Sequence, residues 1–162
     1  MHTIKVRLYK KSKTFFWKLI RVKQNLQKFS WRYAQYSHAE LEFENWLSFS
    51  SSEVDWGVRI KKIKFKKAHW DFIEIKVSNE KYNKMITFAH SQEWDKYNWL
   101  WIVLAQWFNL NFKWEWDWFC SEIVTRCLQE SCILCTVSAL FVNPAMLAEL
   151  LEDRWFYINN KK

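Results

Sequence analysis

The chain has a single glycine, Gly57, and a single proline, Pro144, among 162 residues, where average usage is roughly 7% and 5%. Tight turns that need positive φ are therefore expected to fall to Asn, Asp or Ser. Long apolar runs are also missing. The longest, Trp99 to Ala105, is far short of the about 18 residues needed to span a bilayer. The first residues, Met1-His2-Thr3-Ile4-Lys5-Val6-Arg7, lead into charge rather than into an apolar stretch. No signal peptide and no transmembrane segment are expected, and the thiols are expected to stay reduced in the cytoplasm. Histidine is scarce, with none beyond His90, so Cys132-x-x-Cys135 with Cys127 lacks the partners of a zinc site. Three cysteines buried in helices are the simpler expectation, with no metal and no cofactor.

What is present is material for a core. Half the residues are apolar and 20% are aromatic, thirteen of them tryptophan. A chain of this length reads as one domain, residues 1–162, able to bury about two-thirds of its unfolded surface. That composition argues against disorder. The net charge is +8 and the pI is about 9.3. Basic residues cluster in Lys10-Lys11-Ser12-Lys13 and in Lys61-Lys62-Ile63-Lys64-Phe65-Lys66-Lys67. Such clusters suit nucleic acid or an anionic surface such as a cell wall or lipid leaflet. No nucleic-acid-binding fold motif accompanies them, and lysines on a strand edge or basic loop are an ordinary guard against aggregation. No specific nucleic-acid partner is expected.

Periodicity assigns α+β. Ile4, Val6 and Leu8 alternate with polar neighbours as in a half-buried strand, and Phe15, Leu19, Val22, Leu26 and Phe29 repeat at helical spacing. After Ser37, residues Ala39, Leu41 and Phe43 face one way while His38, Glu40, Glu42 and Glu44 face the other. That polar face is either a solvent face or the wall of a site. Short strands follow at Trp46 to Ser50 and from Gly57, with a turn at Ser51 to Asp55 between them, and another strand spans Phe72 to Val77. Ser78 or Asn79 caps a helix with Tyr82, Met85, Ile86 and Ala89 on one side. A nearly all-apolar helix is expected over about 97–108. Trp114, Trp116 and Trp118 alternate just before a helix that opens at Cys120 and runs to about Glu130. Asn143-Pro144 reads as a cap and first residue of a closing helix. Strands come first and helices later.

Cys120 carries the chemical interest. A cysteine at a helix N-terminus is favoured as thiolate by unpaired N–H groups and the helix dipole. A histidine at a strand start, His38, is the natural ion-pair partner and general base. Either residue alone is ordinary core or surface. Together, in these contexts, they suggest a nucleophilic pair.

Tyr36-Ser37-His38-Ala39-Glu40-Leu41-Glu42-Phe43 followed by Phe119-Cys120-Ser121-Glu122-Ile123-Val124 resembles the circularly permuted NlpC-like branch of the papain-fold cysteine hydrolases. The likeness is to YiiX-like members and their small bacteriophage-borne relatives. Ile4 to Tyr9, Phe49-Ser50-Ser51-Ser52 with Gly57-Val58-Arg59, Lys96-Tyr97-Asn98-Trp99 and Asn143-Pro144-Ala145-Met146-Leu147 add to it. The resemblance implies a permuted papain-like fold in which a small antiparallel sheet packs on helices, and a Cys120–His38 pair with a third polar residue orienting the imidazole. Family position points to Ser50 for that role, and strand parity points to Glu40. It further implies acyl transfer through a thioester, with the Cys120 backbone N–H as oxyanion donor. Tyr97 and Ser121 are candidates for the pocket or oxyanion site. The expected substrate is a peptide or other acyl compound, for example a cell-wall peptide or isopeptide amide. Acyl-lipid hydrolysis or transfer, and a phage-encoded binding module with weakened catalysis, are the other readings.

Overall fold

The computed structural model describes residues 1–10, 35–52, 54–93, 119–153 and 158–159. Among these residues six strands form one sheet: β1 (His2–Tyr9), β2 (His38–Glu42), β3 (Leu47–Ser52), β4 (Gly57–Lys62), β5 (Trp70–Val77) and the two-residue β6 (Ile158–Asn159). Their order is β4-β3-β2-β1-β5-β6, with every pairing antiparallel. Among the described residues three helices accompany it: α1 (Asn79–Ser91), α2 (Cys120–Gln129) and α3 (Pro144–Asp153). The fold is α+β.

Alternation decides which side of the sheet is the core. Ile4, Val6 and Leu8 of β1, Ala39 and Leu41 of β2, Phe49 of β3 and Ile73, Ile75 and Val77 of β5 are buried in one cluster with Ile123, Val124, Cys127 and Leu128 of α2. The caps follow side-chain chemistry. Ser78 accepts from the Lys81 N–H at the start of α1, and Asn143 Oδ1 accepts from the Met146 N–H at 2.9 Å, with Pro144 first in α3.

The opposite face of the sheet is not a solvent face. Arg7, Glu40, Glu42, Ser48 and Ser50 are all buried. The strand order requires the chain from β4 to β5 to pass over β3, β2 and β1. Phe65 on that connection packs against Trp70 and under the Arg7 guanidinium, 4.9 Å from its ring centroid. Arg7 also lies over Phe72 and donates to Glu42. Lys61 and Lys62 end the edge strand β4, and Lys64, Lys66 and Lys67 are exposed beyond it.

Three expectations are corrected. The left-handed backbone positions include Asn45, but also Trp46, Trp56, Cys132 and Leu134, while Gly57 is not among them. Cys132 and Cys135 are exposed in turns after α2 rather than buried in a helix, and only Cys120 and Cys127 are buried. Trp46 belongs to a 3-10 turn (Glu44–Trp46), so β3 begins one residue later and continues through Ser52. The expected helices at Phe15–Phe29 and about 97–108, and the Trp114–Trp118 segment, lie outside the described residues. No helix among the described residues is long and apolar enough to cross a membrane.

Candidate active site

The site forms where the first turn of α2 meets the first residue of β2. Phe119, the residue before α2, is extended and offers no side-chain cap. The Ile123 N–H bonds back to the Phe119 carbonyl, so the N–H groups of residues 120–122 precede the first intrahelical bond. Cys120 sits among them, 4% exposed. Its sulphur takes hydrogen bonds from the backbone N–H groups of Ser121 and Ala39 and from the His38 ring. Burial alone would push this thiol up. The charge and hydrogen bond of His38, with the two N–H donors, outweigh burial and hold it below the ordinary thiol range.

His38 opens β2, opposite Tyr9 of β1, with its side chain 16% exposed. Its ring meets Trp70 edge-on, with centroids 6.1 Å apart. Nε2 lies 3.1 Å from Glu40 Oε1, and the ring also bonds Cys120. Burial favours the neutral ring, but the Cys120 thiolate and then Glu40 outweigh it and raise the imidazolium to about 10.

Glu40 is buried and fully engaged. Beside His38, its carboxylate accepts Arg59 Nη1 at 3.0 Å on Oε2, Arg59 Nη2 on Oε1, and the Ser48 hydroxyl on Oε2. Burial would raise its pKa, but His38 and Arg59 together lower it to about 2, so it stays a carboxylate throughout the working pH range. Arg59 is in turn held by Asp55, Nε to Oδ2 at 2.9 Å, and Asp55 also accepts Lys61.

The structure therefore brings Cys120, His38 and Glu40 into one hydrogen-bonded row. Ser50 takes another place: its hydroxyl donates to the Ala39 carbonyl at 2.7 Å, bridging β2 and β3 beyond the last paired residues, Leu41 and Phe49. The Ser121 hydroxyl is turned inward to the Val142 carbonyl at 2.6 Å, so this residue reaches the sulphur through its backbone N–H alone. Tyr97 lies outside the described residues. Arg59 and Ser48 were not singled out for a site role from the sequence. Strand register was the signal that could have found them, because Ser48 pairs with Lys61 and Ser50 with Arg59, on the face that carries Glu40.

Among the described residues no group of three His, Cys, Asp or Glu side chains is placed to hold a metal ion. The chemistry available to the row is that of a thiol and an imidazole that favour each other's charged forms, beside the first N–H groups of a helix. No protein-family model matches the chain, and no curated protein matches it either.

Proposed function

We propose that the protein is a thiol hydrolase of the peptidase or amidase type, with a circularly permuted papain-like arrangement of its site. The observation that carries this reading is the contact of Cys120, first residue of α2, with His38, whose ring is backed by Glu40. The element order supports the permuted arrangement, since the histidine strand and its neighbours β3 and β4 precede the cysteine helix.

In the proposed reaction the Cys120 thiolate attacks the carbonyl carbon of an amide, and the electron pair moves onto oxygen. The Cys120 backbone N–H is the nearest candidate to meet that oxyanion. As the tetrahedral adduct collapses, the C–N bond breaks and His38 gives its proton to the departing amine. Neutral His38 then takes a proton from water, whose oxygen attacks the thioester. The acid is released and the thiolate–imidazolium pair returns. Glu40 supports the imidazolium and holds the ring between its partners. Peptide and isopeptide amides, including those of cell walls, are the proposed substrate class.

Alkylation with iodoacetamide, followed residue by residue by mass spectrometry at about pH 6, tests the reading. Cys120 is expected to react faster than the exposed Cys132 and Cys135 despite its burial. Cys127, buried and with its thiol pushed up by that burial, is expected to stay unmodified. His38→Ala should remove the advantage of Cys120. Cys120 reacting no faster than the two exposed thiols would defeat the proposal. Hydrolysis of cell-wall peptides that disappears in Cys120→Ala would then identify the substrate class, and acyl lipids serve as the competing substrate.

A further inference from the structure

Charges alternate along a single connected row that starts at the surface of the edge strand and ends at the nucleophile: Lys61, Asp55, Arg59, Glu40, His38, Cys120. Side-chain exposure falls over its first four members, from 45% at Lys61 and 24% at Asp55 to 11% at Arg59 and 4% at Glu40, and is 16% at His38. Arg59 stands at its centre and makes three of the hydrogen bonds, two to Glu40 and one to Asp55. A guanidinium presents its donors as a rigid planar fork, so a two-point bond to a carboxylate fixes orientation as well as charge. That matters here because Glu40 must reach a ring only two residues away on its own strand.

Resting on the proposed thiol chemistry, we propose that Arg59 is a positioning residue of this site: its fork, braced by Asp55, fixes the Glu40 carboxylate against His38 and so sets the reactivity of Cys120. Among the described residues, the neighbours of Glu40 leave no other cation to do this. Arg7, its register partner on β1, directs its guanidinium to Glu42 instead. Ser48 on β3 offers one neutral donor, and Glu42 on β2 has the same sign as Glu40. The remaining charged groups around it, among the described residues, are His38, Asp55 behind Arg59, and the Cys120 thiolate of α2. Without the fork, the carboxylate has one neutral hydroxyl to hold it and turns away from the ring or takes up a proton.

The test is a set of variants at the two residues, read by the pH dependence of Cys120 alkylation in the full chain. Arg59→Lys keeps the charge and loses the fork. It is expected to slow Cys120 by roughly tenfold at about pH 6, equivalent to a shift of about one unit in the inflection. Glu40→Gln should slow it at least as much. The double variant Glu40→Gln/Arg59→Met removes both buried charges together, which protects folding, and it should be no slower than Glu40→Gln alone. An Arg59→Lys profile that overlays the wild type would overturn the assignment. So would a double variant slower than Glu40→Gln alone by a further roughly tenfold, because Arg59 would then act independently of Glu40. A wild-type Cys120 with no advantage over Cys132 fails the thiol-hydrolase reading itself, whereas a His38-dependent advantage that survives Arg59→Lys fails only the role of Arg59.

Discussion

Glu40 Oε1 lies 3.1 Å from His38 Nε2, although the two residues are only two apart on one strand and their side chains leave the backbone in parallel. The contact exists because both ends of it are held from other elements. Arg59 and Ser48 fix the carboxylate from β4 and β3, and Cys120 engages the ring from the start of α2. A local neighbour thus becomes an oriented partner through long-range bonds. Ser50, the rival for the same role, instead spends its hydroxyl on the Ala39 carbonyl.

Substitution should separate those two residues. Glu40→Gln is expected to lower Cys120 reactivity at about pH 6 by roughly tenfold or more, because the imidazolium loses its carboxylate. Ser50→Ala is expected to cost about 1 kcal/mol of stability through the lost bond to Ala39, and to leave the Cys120 rate within about twofold once the protein is folded. Alkylation kinetics and denaturant unfolding on both variants decide it. Ser50→Ala producing the larger rate loss would reverse the assignment.

The same row makes stability depend on pH at both ends. Glu40 drops from the ordinary 4.5 to about 2 in the folded protein. Its contribution is therefore full above 4.5 and is lost as pH falls toward 2. His38 rises from 6.5 to about 10. Its contribution is full below 6.5 and is lost as pH climbs through 10. Cys120 is shifted down, so its share acts in the acid direction, and it titrates with His38 as a pair. Because the thiolate is the larger of the two influences that raise His38, Cys120→Ala should move the alkaline loss of stability to lower pH while leaving the Glu40 limb in place. Thermal melts across the pH range, with NMR titration of the His38 ring, read this directly. An unmoved alkaline limb would show that the thiolate does not support the imidazolium.

A second buried ion pair on this face should behave as a purely structural one. Arg7 donates to Glu42, with side chains only 9% and 8% exposed, and the guanidinium lies between Phe65 and Phe72. Glu42→Ala strands that guanidinium, at an expected cost of about 3–5 kcal/mol. Arg7→Met/Glu42→Leu, which removes both charges, should recover most of the loss. Urea unfolding of the two variants makes the comparison. If the single substitution costs under about 1 kcal/mol, the pair is solvated and its burial is of little consequence.

Much of the framework was legible because it depends on local order. The alternation of Ile4, Val6 and Leu8 marks β1. Ser78 and Asn143-Pro144 mark the starts of α1 and α3, where a side-chain oxygen meets a nearby N–H. The helix start at Cys120 was legible for the same reason, since the apolar period begins there. The clamp on Glu40 was not. Arg59 and Ser48 reach it only through the register of β3 with β4 and the approach of both to β2, which no local pattern encodes. The burial of Glu40 and Glu42 was equally hidden, because a connection from β4 to β5 passes over their face. The exposure of Cys132 and Cys135 follows from α2 ending at Gln129, before the cysteine pair.

Turn chemistry was the least legible feature, and it leaves a removable strain. With one glycine in the chain, the turn before β4 places Trp56 at φ 59, and the residue is 81% exposed. A residue with a Cβ pays about 1–2 kcal/mol in the left-handed region, and an exposed indole gains little packing to offset it. Trp56→Gly relieves that cost and gives back part of it through the greater freedom of glycine in the unfolded chain. The net expectation is a gain of about 1 kcal/mol, seen as a rise in melting temperature of about 2–4 °C. Leu134 is at φ 61 but fully buried, so Leu134→Gly should destabilise by about 2–5 kcal/mol, the lost side chain outweighing the relaxed backbone. Melting curves of the two variants against the wild type measure both shifts. A lower melting temperature for Trp56→Gly would mean that the indole holds the turn by contacts worth more than the strain.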